Sequence, residues 1–172
     1  PNNLPSKDAR NVPGWLSNLD TLRPRFPNDR EDMLYLGKNE GMGVLVTGNR
    51  HWKNGSIASG FKIHAATRAG LLLNYQGMRR HHAIVFTKTA LQIVRNLYGE
   101  TVLGEVAFAA EENMYYEVEA SAKDGEIQVS IDGELRLTAR DATLDGGGAG
   151  YFVERGLAGF CSPEIRAECR HE

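Results

Sequence analysis

Arg50, Trp52, Tyr75, Gln76, Arg79, Arg80, His82 and Glu154 are the residues whose types and spacing suit recognition chemistry. An aromatic ring offers a flat face for C–H stacking, while Arg, Gln and Glu offer planar bidentate groups for vicinal hydroxyls. Gln76, Arg79 and Arg80 flank Gly77-Met78. That places them at one hairpin end, where loops commonly carry function. The guanidiniums suit a phosphate or pyrophosphate equally well, so an ADP-ribose-like ligand stands beside a glycan. Each residue also has an ordinary use: Trp52 as a core plug, Arg80 and Glu154 as a structural ion pair.

Other constellations carry less. His81 and His82 are neighbours, which on one strand point to opposite faces and cannot chelate together unaided. No His-x-His, Cys-x-x-Cys or His-Glu-x-x-His spacing joins them to His51 or His64. No Gly-x-Ser-x-Gly elbow organises the serines. Glu117 and Glu119 share a strand face at about 6.6 Å, not far from the spacing of a hydrolytic carboxylate pair. With Glu40 and Glu154 they are the candidates for that chemistry, against the simpler reading of charges on a solvated sheet face. Asp141 and Asp145, beside Gly146-Gly147-Gly148, have the hard-oxygen chemistry of a calcium site. The plainer reading is a turn in which Asp caps its own backbone. A structural calcium ion is thus the one cofactor suggested, and none is required.

The elements that must position these groups are strands. Tyr115 to Gly150 reads as three short alternating strands punctuated by Lys123-Asp124-Gly125 and Asp132-Gly133. Asp-Gly between alternating apolar runs is a strong hairpin signal, because glycine accepts the positive φ of a primed turn. Upstream, Met33–Leu36 and Gly43–Thr47 are apolar runs separated by Gly37 to Gly41. Ser56–His64, Gly70–Tyr75, Arg79–Thr87, Leu91–Asn96 and Val102–Phe108 follow, and Ala149–Glu154 and Pro163–Cys169 close the chain. Roughly a dozen strands at 8–12-residue spacing predict an all-β antiparallel sandwich of two sheets, of jelly-roll type. Residues 1–30 hold five of the six prolines. They read as an extended lead-in, packed on the domain (31–172) through Trp15, Leu16, Leu19 and Leu22, with an irregular arm favoured over a short helical turn near Ser17–Leu22.

The 172 residues suit one domain with a sizeable core. Hydrophobic residues at 41% and charged residues at 24% are globular values, and a formal charge of −2 gives no general case for nucleic acid or an anionic membrane. No apolar run is long enough to span a bilayer. If Cys161 and Cys169 lie on one strand they are too far apart to be bridged, the alternative being a bridge across a bend. Two unbridged thiols and no leader in the sequence point toward a reducing, cytoplasmic compartment.

The order of motifs resembles a known module. It comprises Gly48-Asn49-Arg50-His51-Trp52, Ala69-Gly70-Leu71-Leu72, Gln76-Gly77-Met78-Arg79-Arg80, Val129-Ser130-Ile131-Asp132-Gly133 and the run from Gly147 to Gly156. Together these are similar to the concanavalin A-like (laminin-G-like) β-sandwich at the C-terminus of bacterial ADP-ribosylglycohydrolase-type proteins. More distantly they resemble the sandwiches of 3-keto-disaccharide hydrolases and fructan-binding modules. The likeness covers roughly residues 35 to 170, departing at His81-His82, where related modules often carry paired tyrosines. It implies a concanavalin-like fold and a non-catalytic glycan or nucleotide-sugar recognition module, accessory to an enzyme domain and partnered by other domains of a parent chain. The alternatives are a β-sandwich glycoside hydrolase or lyase and a purely structural or interaction domain.

Overall fold

A computed structural model describes residues 14–169. They form twelve antiparallel strands in one continuous ladder: β1 Trp15–Ser17, β2 Thr21–Pro24, β3 Leu34–Thr47, β4 Trp52–Gly77, β5 Arg80–Phe86, β6 Ala90–Leu97, β7 Glu100–Ala107, β8 Tyr115–Lys123, β9 Glu126–Ile131, β10 Glu134–Arg140, β11 Gly148–Phe160 and β12 Glu164–Cys169. Three long strands, β3, β11 and β4, run side by side through both layers of the sandwich. The first half of β4 pairs with β8, which carries β9 and β10. Its second half pairs with β5, which carries β6 and β7. Register shifts at Glu154/Gly156 and Leu157/Ala158 mark where β11 bends from one layer to the other. β10 then lies against β6 and β7, facing the two layers across one core.

Side-chain alternation fills that core. Leu71, Leu73, Ile84, Phe86, Ile93 and Tyr151 from one layer meet Ile57, Phe61, Val118, Ala120, Val129 and Ile131 from the other. The predicted meander is β8–β9–β10, and Asp132 and Gly133 take φ of 52° and 84°, as the Asp-Gly signal requires. Leu135 departs from its alternation: a register shift between Leu135 and Leu137 turns it out, and it is 53% exposed.

Both faces of the β5–β6 layer are apolar. Val44, Val46, Leu72, Ala83, Val85, Val94 and Phe152 form a second buried cluster on its outer face. Strands buried on both faces read as unbroken apolar runs, which accounts for Leu71-Leu72-Leu73 and Ala83-Ile84-Val85-Phe86.

Three features differ from the sequence reading. The runs on either side of Gly37 to Gly41 are one bent strand, and those on either side of Ala65 to Ala69 are joined in the 26-residue β4. Periodicity breaks at a bend even where pairing continues. Residues 15–17 and 21–24 form neither a helical turn nor an irregular arm, since β1 and β2 are edge strands paired to β3, with Leu19 buried between them. The lead-in before residue 14 lies outside the described residues. Cys161 is a buried free thiol and Cys169 an exposed one.

Candidate functional site

The strand registers bring four chain segments to one end of the sandwich. Thr47 at the end of β3 pairs with Ala149, Tyr75 near the end of β4 pairs with Gly148, and Gly77 pairs with Arg80 at the start of β5. The glycine run before β11 makes their meeting sterically possible. A Cβ on Gly146 would lie 2.4 Å from the Trp52 carbonyl oxygen, one on Gly147 2.5 Å from the Asn74 carbonyl carbon, and one on Gly148 2.3 Å from the Thr47 carbonyl oxygen. Only a bare backbone packs this closely against three others.

The result is an open groove of about 630 Å³, floored by Val46 and Tyr75, with Arg50, Gln76, Arg80 and Asp145 on its walls and Leu16 at its rim. Gln76 is held at both ends of its amide: Nε2 donates to the Gly146 carbonyl at 2.9 Å, and Oε1 accepts from Arg80 Nε at 3.1 Å. The Arg80 guanidinium lies over the Tyr98 ring, 5.7 Å from its centroid. Its Nη1 and Nη2 have no hydrogen-bond acceptor among the described residues. Arg50 is exposed, with no hydrogen bond or ion pair among them. Tyr75 stacks on His81 at 5.7 Å and 19°. Burial pushes the Tyr75 hydroxyl up, so it stays a neutral donor.

Beneath the groove runs a buried polar chain. Asn74 sits at φ 50°, in the left-handed region, where the β4–β5 register shifts. Its amide nitrogen donates to His82 Nδ1 at 2.9 Å, so the His82 proton resides on Nε2, which donates to Asp141 Oδ2 at 2.7 Å. Asp141 Oδ1 accepts from Arg95 at 3.1 Å and from Thr143. Burial lowers the His82 pKa, outweighing the Asp141 carboxylate that would raise it, and the imidazole is neutral. This chain fixes the bend that turns Tyr75 and Gln76 toward the groove while Leu73 points to the core.

No protein-family model and no curated protein matches this chain. Solved structures do. The carbohydrate-binding module CBM66 from Bacillus subtilis superposes with a TM-score of 0.74 at 14% identity, over 89% of this chain and 95% of that one. A Bacillus subtilis protein of unknown function with a galectin-like fold gives 0.68 at 12%, over 99% and 96%. The Caenorhabditis elegans galectin LEC-6 gives 0.55 at 12%, over 80% and 98%. The fold is the jelly-roll sandwich. At such identities the likeness is one of fold alone.

In this jelly roll the eight candidate residues do not form one site. Arg50, Tyr75, Gln76 and Arg80 share the groove. Trp52 packs its ring on Gly48, whose Cβ would lie 2.6 Å from it, beneath the β3–β4 loop and not in the groove lining. Arg79 is exposed on the β4–β5 turn, its carbonyl accepting from the Tyr98 amide at 2.8 Å. His82 is wholly buried in the polar chain. Glu154 is about 20 Å along β11 from Gly148, and it pairs with Arg68 at 2.6 Å, not with Arg80. Of the calcium candidates, Asp145 borders the groove, whereas Asp141 has both oxygens engaged by His82, Arg95 and Thr143. Among the described residues no three His, Cys, Asp or Glu side chains cluster as metal ligands. Sequence reasoning missed Asn74, Arg95 and Arg68. One signal for the buried chain was available: His82 shares its strand face with Ile84 and Phe86, so a partner for it had to be sought inside.

Proposed function

We propose that this domain is a non-catalytic module that binds a saccharide in the end groove, as an accessory to an enzyme domain. The observation that carries the reading is the convergence of Tyr75, Gln76, Arg50 and Arg80 around one open volume of about 630 Å³. An aromatic side chain beside planar hydrogen-bonding groups is the form of a sugar site, and the prior orientation of Gln76 and Arg80 reduces the entropy lost on binding. One of the structures that share the fold is a carbohydrate-binding module by name, CBM66, and another is the galectin LEC-6. The accessory role rests on the resemblance to modules appended to ADP-ribosylglycohydrolase-type proteins.

The hydrolase alternative has less support. Among the described residues Asp145 is the only carboxylate lining the groove, whereas glycoside hydrolysis needs two flanking the scissile bond. Glu117, half of the other candidate pair, is engaged by Arg30 and by the Tyr115 hydroxyl. A glycan array followed by calorimetry on the hits tests the proposal. Binding should be lost in Tyr75→Ala and Arg50→Ala with the melting temperature retained. Array hits that survive both substitutions would move the site elsewhere, and a silent array would favour a purely structural domain.

A further inference from the structure

We infer that the saccharide taken by this groove is anionic, with its acidic group seated against the guanidiniums of Arg50 and Arg80. The inference rests on the reading of the groove as a saccharide site and goes one step further, to the class of ligand. Of the twelve described arginines, Arg30, Arg68, Arg95, Arg140 and Arg166 each lie within 3.3 Å of a carboxylate of this chain, and seven do not. Arg50 and Arg80 have no such ion pair among the described residues, although both border the same concave space. The chain carries a formal charge of −2. Yet the two segments that meet at this end read Arg50-His51-Trp52-Lys53 and Arg79-Arg80. Asp145 is the one acidic group in the groove lining among the described residues, and Glu100, across the β6–β7 turn, is held by Arg68 at 3.0 Å.

The Arg80 head group is also set in advance. Gln76 fixes Nε and the Tyr98 ring supports one face, which leaves the Nη1 and Nη2 donors for a planar or tetrahedral anion. Guanidinium pairs bidentately with either. Two anion chemistries fit, the carboxylate of a uronic acid and the pyrophosphate of a sugar nucleotide, and they share the same contact.

Calorimetry on the whole chain separates them, using trigalacturonate, its carboxyl-reduced neutral counterpart, ADP-ribose and free ribose. An acidic probe should bind at least about tenfold more tightly than its neutral counterpart, with affinity falling as salt rises. Arg50→Gln and Arg80→Gln should each abolish that preference, while Arg80→Lys, which keeps the charge but loses the fork, should retain part of it. Preference for trigalacturonate identifies a carboxylate ligand and preference for ADP-ribose a pyrophosphate one; either supports the inference. Equal affinity for acidic and neutral sugars overturns it and leaves the saccharide groove standing. An acidic preference untouched by both Gln variants overturns the placement. If no saccharide binds, the proposed function fails with it.

Discussion

Arg68 and Arg80 both project from the β4–β5 layer, and they are used in opposite ways. Arg68 bridges Glu154 on the neighbouring strand and Glu100 on β7, at 2.6 Å and 3.0 Å. β7 lies three ladders from β4, roughly 14 Å across a flat sheet. The pair therefore requires the layer to curl toward its outer face, over the buried Leu72, Val85 and Phe152. Arg80, at the open end of the same layer, has one nitrogen held by a neutral amide and no carboxylate among the described residues. One guanidinium closes a surface with its own acids; the other leaves donors facing an open groove. An arginine's role is set by what the fold places opposite it, and four substitutions or conditions test how deep that contrast runs.

The largest effect is expected in the polar chain that supports the groove. His82→Leu would leave the buried Asn74 amide and Asp141 carboxylate without their shared partner, and orphaned buried polar groups cost about 1–3 kcal/mol each. The domain should lose about 3 kcal/mol in urea unfolding, and groove affinity should fall with it as Asn74 relaxes from φ 50°. A loss under about 1 kcal/mol would mean that the chain does not hold the β4 bend.

Arg68→Met comes next. Glu154 would keep a charge at 21% side-chain exposure without its cation. The expected loss is about 2 kcal/mol, below the range for breaking a fully buried pair because both partners are partly wet. Adding Glu154→Gln should restore most of it, and groove affinity should not change in either variant. A fall in affinity would show that the curled outer face and the end groove are one site.

A smaller effect comes with acid. Burial lowers the pKa of both His81 and His82, against an unfolded value near 6.5. Groups depressed in the folded state contribute stability above the unfolded pKa, so stability should be full at pH 7.5 and decline as pH drops through about 6.5, where only the unfolded chain takes up protons. Burial alone would raise the Asp141 carboxyl, but hydrogen bonds from Thr143 and His82 hold it below its usual value. Its share is therefore lost later, below about pH 4. Melting temperatures measured from pH 8 to pH 5 check the histidine step, and a flat profile would contradict the neutral, buried assignment.

The sandwich was legible in the sequence because strand alternation and Asp-Gly turns are local signals. Asp124-Gly125 and Asp132-Gly133 announce their hairpins with no reference to anything distant. The long strands were harder, since β4 changes layers in mid-course and its pattern breaks where its pairing does not. The groove was half legible. Gln76 and Arg80 share a hairpin, so their proximity follows from chain order, but Arg50 joins them only through the close packing of Gly146 to Gly148. Glu154 was placed with Arg80 by charge type alone. Choosing between Arg68 and Arg80 as its partner requires the β4–β11 register, in which Glu154 stands opposite Arg68. Pairings of that kind depend on long-range alignment, and no window of neighbouring residues contains it.

The smallest expected effect on stability is the sharpest test of the contrast. Arg80→Gln removes one hydrogen bond to the exposed Gln76 and a contact with Tyr98, which is 66% exposed. Exposed interactions of this kind contribute little, so the change in urea unfolding should stay within about 0.5 kcal/mol. Affinity for an acidic saccharide should nevertheless fall by at least about tenfold, equivalent to about 1.4 kcal/mol, because a guanidinium fork on an anion has no counterpart in an amide. Stability and binding then separate at Arg80 as they do at Arg68, with the roles reversed. Should Arg80→Gln instead unfold the domain as readily as Arg68→Met does, its guanidinium would be another structural clasp, and the groove would lose the group on which its preference for an anion depends.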